Sequence, residues 1–126
     1  PINRLGLTIA YPELRGFLAL VGRAVALEIL LEGRILNAEE AYAKGLVTRV
    51  VPDDKVEAEA YATAARIADG APLVNRWHKR FIRRLESGES LNEADHRENY
   101  ACYDTEDFQT GVRAFLAKQK PQFRGR

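Results

Sequence analysis

The sequence contains no methionine and only one cysteine, Cys102. A lone thiol excludes an internal disulfide, and with it the small cross-linked scaffolds of secreted proteins. It fits a reducing compartment, and a cytoplasmic setting is expected. Long apolar runs are missing too: no stretch approaches the roughly 20 residues of a membrane span. The opening residues, PINRLGLTIAYPELRG, lack the basic and apolar regions of a secretory signal. Nor is there an excess of one charge. Nineteen basic residues face eighteen acidic ones, a net charge of +1, so no bulk field draws nucleic acid or anionic lipid. Neither a nucleic acid nor a membrane is expected as partner.

Chemistry-bearing clusters are equally sparse. The two histidines, His78 and His96, fall in separate helical stretches without the spacing of metal ligands, so no metal site is expected. No G-x-S-x-G elbow or Walker-type glycine loop occurs. Cys102 has no neighbour that would lower its pKa and is read as a small buried hydrophobe. The stretch RWHKRFIRR could serve as a basic helix for an anionic surface, but its aromatics recur at core spacing. It is read as a packed helix with a solvated outer face.

The apolar spacing that is present is mostly helical. YPELRGFLALVG places Pro12 in a tolerated first turn, with Leu14, Phe17, Leu18 and Val21 on one side. RAVALEILLEG continues the pattern and stops at Gly33. Asn37 and Glu40 form a capping-box pair for a short helix that Gly45 closes. The opening segment and LVTRVV (46–51) predict two short strands. Asp53 or Asp54 can cap a helix whose apolar face includes Val56, Ala60, Ala64 and Ile67. APLVNRWHKRFIRRL repeats Leu73, Trp77, Phe81 and Leu85 every fourth residue. A helical stretch from about Leu91 to Tyr103 and a last helix over DTEDFQTGVRAFLAKQ complete the chain. A chain of this length predicts one domain with a modest core. No internal repeat or linker divides it. Six helices and two strands cannot build a sheet alone, so an α/β parent fold would keep most of its sheet elsewhere.

One pair in the tail has a ligand-like character. Phe115 and Lys118 are three apart and would share a helix face. An aromatic ring beside an ammonium suits a ligand carrying a flat base and a phosphate. On its own the pair is common and is better read as a core phenylalanine and a surface lysine.

Set in order along the chain, the segments VG…A…E.LLEGR, NAEEA…GLV..VVP, A..IA, AP and ED…GV.AFL.K.KP.F resemble the enoyl-CoA hydratase/isomerase (crotonase) family over essentially all of its length. The resemblance implies a chain that is mainly α as present, the C-terminal helical part of an α/β crotonase-like fold built on a β-β-α spiral. Residues 1–52 would end the spiral core and residues 53–126 would form a C-terminal helical assembly region. It further implies an acyl-CoA substrate, a coenzyme A thioester handled without a separate cofactor, through an enolate held in an oxyanion hole. An upstream core segment carrying that hole would precede Pro1, and this chain alone would be inactive. Homotrimers or hexamers are implied, with the apolar faces around Trp77, Phe81, Tyr100 and Phe108 packed on the core or a neighbour. The alternative is a non-catalytic CoA-binding or assembly subunit.

Site residues carry over in part. The family's tail aromatic and lysine match Phe115 and Lys118, which implies that they receive the adenine and phosphate end of CoA. Hydratases carry a Pro-Glu at the segment P…LG. Pro1, Leu5 and Gly6 match, but Ile2 stands in the glutamate's place and cannot exchange a proton. The glycine-rich turn that follows in many members is replaced by IAYPEL. Tyr11 and Glu13 lie in that altered loop and are read as exposed residues, and the catalytic residues stay unknown.

Overall fold

The computed structural model describes residues 2–126. Pro1, which the resemblance to the hydratase P…LG segment uses, lies outside them. Six α-helices occur among the described residues: α1 (Tyr11–Glu32), α2 (Ala38–Ala43), α3 (Val56–Ala68), α4 (Pro72–Glu86), α5 (Glu93–Glu98) and α6 (Glu106–Leu116). They fall into two compact units, one reaching Lys55 and one running from Val56 to Arg126.

The first unit begins with a 3₁₀ turn, Ile2–Leu5, tied to α1 by the Asn3 side chain, which donates to the Leu31 carbonyl at 2.8 Å. Helix α1 is interrupted at Gly22, whose φ of 73° and ψ of 171° lie outside helical space. The two predicted helical runs therefore meet at a glycine kink, which only a residue without a Cβ adopts cheaply. Pro12 sits in the first turn and Gly33 ends the helix in the left-handed conformation, as its position predicts. The Asn37–Glu40 capping box is present in full, at 2.8 and 3.1 Å. Gly45 closes α2 with φ 76°, and the N–H of Leu46 reaches back to the Ala41 carbonyl at 2.9 Å.

Two expectations need correction here. No strand occurs among the described residues, so the predicted strands in the opening segment and at 46–51 do not form. A strand exists through its ladder, and neither β-branched segment has a partner strand to pair with. Asp53 and Asp54 do not simply cap α3; with Lys55 they make a 3₁₀ turn that leads into it.

In the second unit Pro72 starts α4 directly after Ala71, and the Asn75 amide donates to the Ile67 carbonyl at 2.9 Å, sharing this C-terminal acceptor of α3 with the Gly70 N–H at 3.1 Å. The predicted helix from Leu91 to Tyr103 is broken into α5 and a 3₁₀ turn, Ala101–Asp104. Asn92 caps α5 by accepting from Ala94 and Asp95, fixing its start later than the apolar pattern suggested. Tyr103 meets Phe108 edge-on, ring centroids 4.9 Å apart.

The modest core is the third correction. Among the described residues only Ala26 is a buried apolar side chain. Val56, Ile67, Leu85 and Tyr100 are exposed, while Trp77, Phe81 and Phe108 are half-buried. Amphipathic helices bury their faces only against a second layer, and these helices have no sheet to lie on.

Candidate functional site

The predicted contact residues sit at the C-terminal end of α6. Thr105 starts this helix by accepting the Phe108 N–H at 3.1 Å, and Glu106 and Asp107 fill the first turn, where the dipole favours anions. The helix stops at Leu116. Beyond it the N–H of Gln119 donates to the Ala114 carbonyl at 2.9 Å and that of Lys118 to the Phe115 carbonyl at 3.1 Å. This is a Schellman closure, whose left-handed position is usually glycine. Here it is Lys118, with φ 53°, the one described non-glycine residue with positive φ.

Phe115 and Lys118 therefore do not share a helix face as expected. Phe115 is in the last turn, 81% exposed, and Lys118 lies past the helix end in a conformation of its own. Phe115 borders an apolar groove of about 390 Å³ with Val74, Cys102, Phe108, Val112 and Phe123. Cys102 is half-buried in this wall rather than fully buried. Lys118 is exposed, and no carboxylate pairs with it among the described residues.

After Lys118 the tail retraces α6. Lys120 pairs with Asp69 at 2.7 Å, and the Phe123 ring lies against Gly111, 3.5 Å from where a Cβ would sit. At the far end Asp107, 3% exposed, accepts the N–H groups of Arg124 and Gly125 at 2.7 and 2.8 Å. Its own N–H donates to the Arg126 carbonyl at 3.0 Å. In this chain Asp107, Gly111 and Phe123 of the tail thus act together: the acid holds the returning backbone, and the glycine makes room for the ring. Sequence reasoning missed Asp107. Its signal was an acid at the helix start beyond what Thr105 needs for capping.

A second polar cluster joins α4 to α5. Arg84 reaches both oxygens of Asp95 at 3.3 and 3.1 Å and also the Ser90 carbonyl at 2.7 Å. The Asn92 backbone N–H donating to Asp95, with Arg84 beside it, holds the Asp95 carboxyl below its ordinary pKa of 3.8. A second arginine of α4 is also paired across to α5: Arg80 meets Glu98.

In the first unit Ile2 is half-buried and lines an apolar groove of about 710 Å³ with Leu7, Ile9, Leu30 and Leu31. Tyr11 and Glu13 are not in a loop; they occupy the first turn of α1, Tyr11 being 89% exposed. IAYPEL is a helix entry. No acid of the groove wall replaces the absent glutamate.

Comparison with known proteins bears on the chain as a whole. The model of the enoyl-CoA hydratase/isomerase family matches residues 3–126. A crystal structure of an enoyl-CoA hydratase/carnithine racemase from Magnetospirillum magneticum is 54% identical, superposes with a TM-score of 0.91, and is matched over all of this chain and 47% of its own. A probable enoyl-CoA hydratase of Mycobacterium tuberculosis is 38% identical over 106 residues, 82% of this chain and 41% of the relative. Methylmalonyl-CoA decarboxylase of Escherichia coli is 31% identical over 108 residues, again 41% of its length. The chain belongs to the enoyl-CoA hydratase/isomerase family and represents its C-terminal, helical portion. It spans less than half the length of these relatives. No described helix is long and apolar enough to cross a membrane.

Proposed function

We propose that this chain is the C-terminal part of an acyl-CoA enzyme that acts on a CoA thioester through an oxyanion-stabilised enolate. The observation that carries the reading is the family match over residues 3–126. The chemistry of such a reaction lies in two backbone N–H donors that hold the thioester oxygen as it gains charge. Removing one donor of this kind costs about 10²–10³ in rate. On this reading those donors belong to an upstream core, and residues 1–126 alone do not turn over substrate. Residues 1–52 close that core and residues 53–126 serve assembly into a cytoplasmic trimer or hexamer. The exposed apolar side chains of α6, Phe115 and Leu116, support a role in packing or ligand contact.

Phe115 and Lys118 are proposed to receive the adenine and the 3′-phosphate of CoA. An exposed ring bordering an apolar groove offers a stacking surface, and an unpaired ammonium offers a point charge. No residue of this chain is given a catalytic role. Ile2 favours a second reading, a non-catalytic CoA-binding or assembly subunit, because isoleucine cannot move the proton a hydratase must move.

Calorimetric titration of the purified protein with CoA and with dephospho-CoA tests the ligand. The wild type should prefer CoA, and Lys118→Ala should lose that preference, at a cost of about 1–3 kcal/mol for a charged hydrogen bond left unmade. Equal affinity for both ligands in the wild type refutes the phosphate role. Turnover of an acyl-CoA thioester, assayed with the whole protein that includes the upstream core, separates the enzyme from the binding subunit.

A further inference from the structure

We propose that Asp107 is a positioning residue for the phosphate end of the ligand: by latching the C-terminal tail onto α6 it fixes Lys118. This rests on the CoA reading of Lys118 given above.

Asp107 is almost wholly buried, yet among the described residues no cation pairs with it. Each carboxylate oxygen is instead committed to one backbone N–H, Oδ1 to Arg124 and Oδ2 to Gly125. A charged acceptor holding two consecutive amides is a strong and directional anchor. It is not the helix cap, since Thr105 fills that role. What it determines is where the tail runs.

The tail is held at three levels of α6. Gln119 is tied to Ala114 at the C-terminal end, Phe123 rests on Gly111 midway, and Arg124 and Gly125 close on Asp107 at the N-terminal end. At 1.5 Å per residue, Asp107 and Lys118 are about 16 Å apart along the helix. The chain from Gln119 to Gly125 can reach about 23–25 Å when extended, so it spans that distance with several ångströms to spare and depends on its contacts along α6 to hold one path. Lys118 is the residue at which the direction reverses, and it does so in the left-handed conformation. That conformation is unfavourable for a residue with a Cβ and persists only where its surroundings impose it. With the latch open, the left-handed turn at Lys118 rests only on the amide bonds of Lys118 and Gln119 to Phe115 and Ala114, so the tail leaving it gains other paths and Lys118 is held less firmly.

The test is a double-mutant cycle read with CoA and dephospho-CoA, using Asp107→Asn, Lys118→Ala and the pair. Asparagine keeps the size of aspartate but can accept with only one oxygen, so amide exchange at Arg124 and Gly125 should quicken. Asp107→Asn should reduce the preference for CoA over dephospho-CoA about ten-fold, the scale of one weakened charged hydrogen bond. In the Lys118→Ala background it should reduce that preference no further. Deleting residues 124–126 opens the same latch without altering α6, and should give the same loss if Asp107→Asn does not fold. A preference that survives a freed tail overturns the proposal, as do effects that multiply in the double variant or a fall of equal size for both ligands. If Lys118→Ala itself leaves the preference intact, the CoA reading fails and takes this inference with it. If Lys118→Ala removes it and the open latch does not, only the role of Asp107 fails.

Discussion

The carboxylate of Asp107 accepts the backbone N–H of Gly125 at 2.8 Å, eighteen positions further along the chain. The bond joins the first turn of α6 to the end of the tail, and the Asp107 N–H returns it by donating to Arg126. Gly125 meets this geometry with φ 75°, and a Cβ there would touch Pro72 at 3.5 Å. The contact is ordinary but the backbone is not. Left-handed backbone costs an L-residue roughly 1–2 kcal/mol, partly offset by a stiffer unfolded chain. Gly125→Ala should therefore destabilise the protein by about 1 kcal/mol, read as a lower urea midpoint at unchanged m-value.

Gly16 gives the opposite sign. It lies in the first half of α1, exposed, with nothing within 4 Å of a Cβ and no left-handed φ. Alanine there removes unfolded-state freedom and keeps the helix. Gly16→Ala should stabilise by about 0.5–1 kcal/mol. A loss of stability would mean that this face is packed in the assembled protein.

Asp95 carries the pH dependence that the structure allows. Its folded carboxyl is held below 3.8 by the Asn92 N–H and by Arg84. A depressed acid contributes its full stabilisation above its unfolded pKa and loses it as pH falls through the folded one. Asp95→Asn should be less stable than the wild type at neutral pH, and the gap should narrow once the pH drops below about 3.8. Parallel urea titrations from pH 7 to 3 measure that gap. A gap independent of pH would mean that packing, not charge, joins α4 to α5.

Local signals were the legible part of this fold. Pro12, Gly33, the Asn37–Glu40 box and Pro72 act within one turn of their own position, so their outcome needs no knowledge of tertiary context. The strand expected at 46–51 failed for the converse reason: β-branched residues describe a surface that suits a ladder, and a ladder needs a second strand. The core was illegible likewise, because apolar spacing says which face is to be buried and not whether anything lies opposite. In the site, Phe115 and Lys118 were visible as a pair, but the turn that separates them was not, since lysine gives no hint of a left-handed position. Asp107 was hidden because its partners are main-chain groups, which leave no trace in side-chain patterns.

Lys118 is where stability and binding should pull apart. Its positive φ is tolerated by glycine without strain, so Lys118→Gly releases roughly 1–2 kcal/mol of backbone cost and gives back about 0.4–1 kcal/mol through a looser unfolded chain. The net is a gain of about 0.5–1 kcal/mol, which corresponds to a rise in Tm of a few degrees. Lys118→Ala keeps the Cβ and the strain, so its Tm should stay near that of the wild type. Both variants lose the ammonium and should lose the preference for CoA over dephospho-CoA alike. A glycine variant that is more stable yet binds CoA poorly would show a residue kept at a conformational cost for its charge. If Lys118→Gly gains stability and keeps the preference, the ammonium does not meet the phosphate, and the left-handed turn belongs to the tail's path alone.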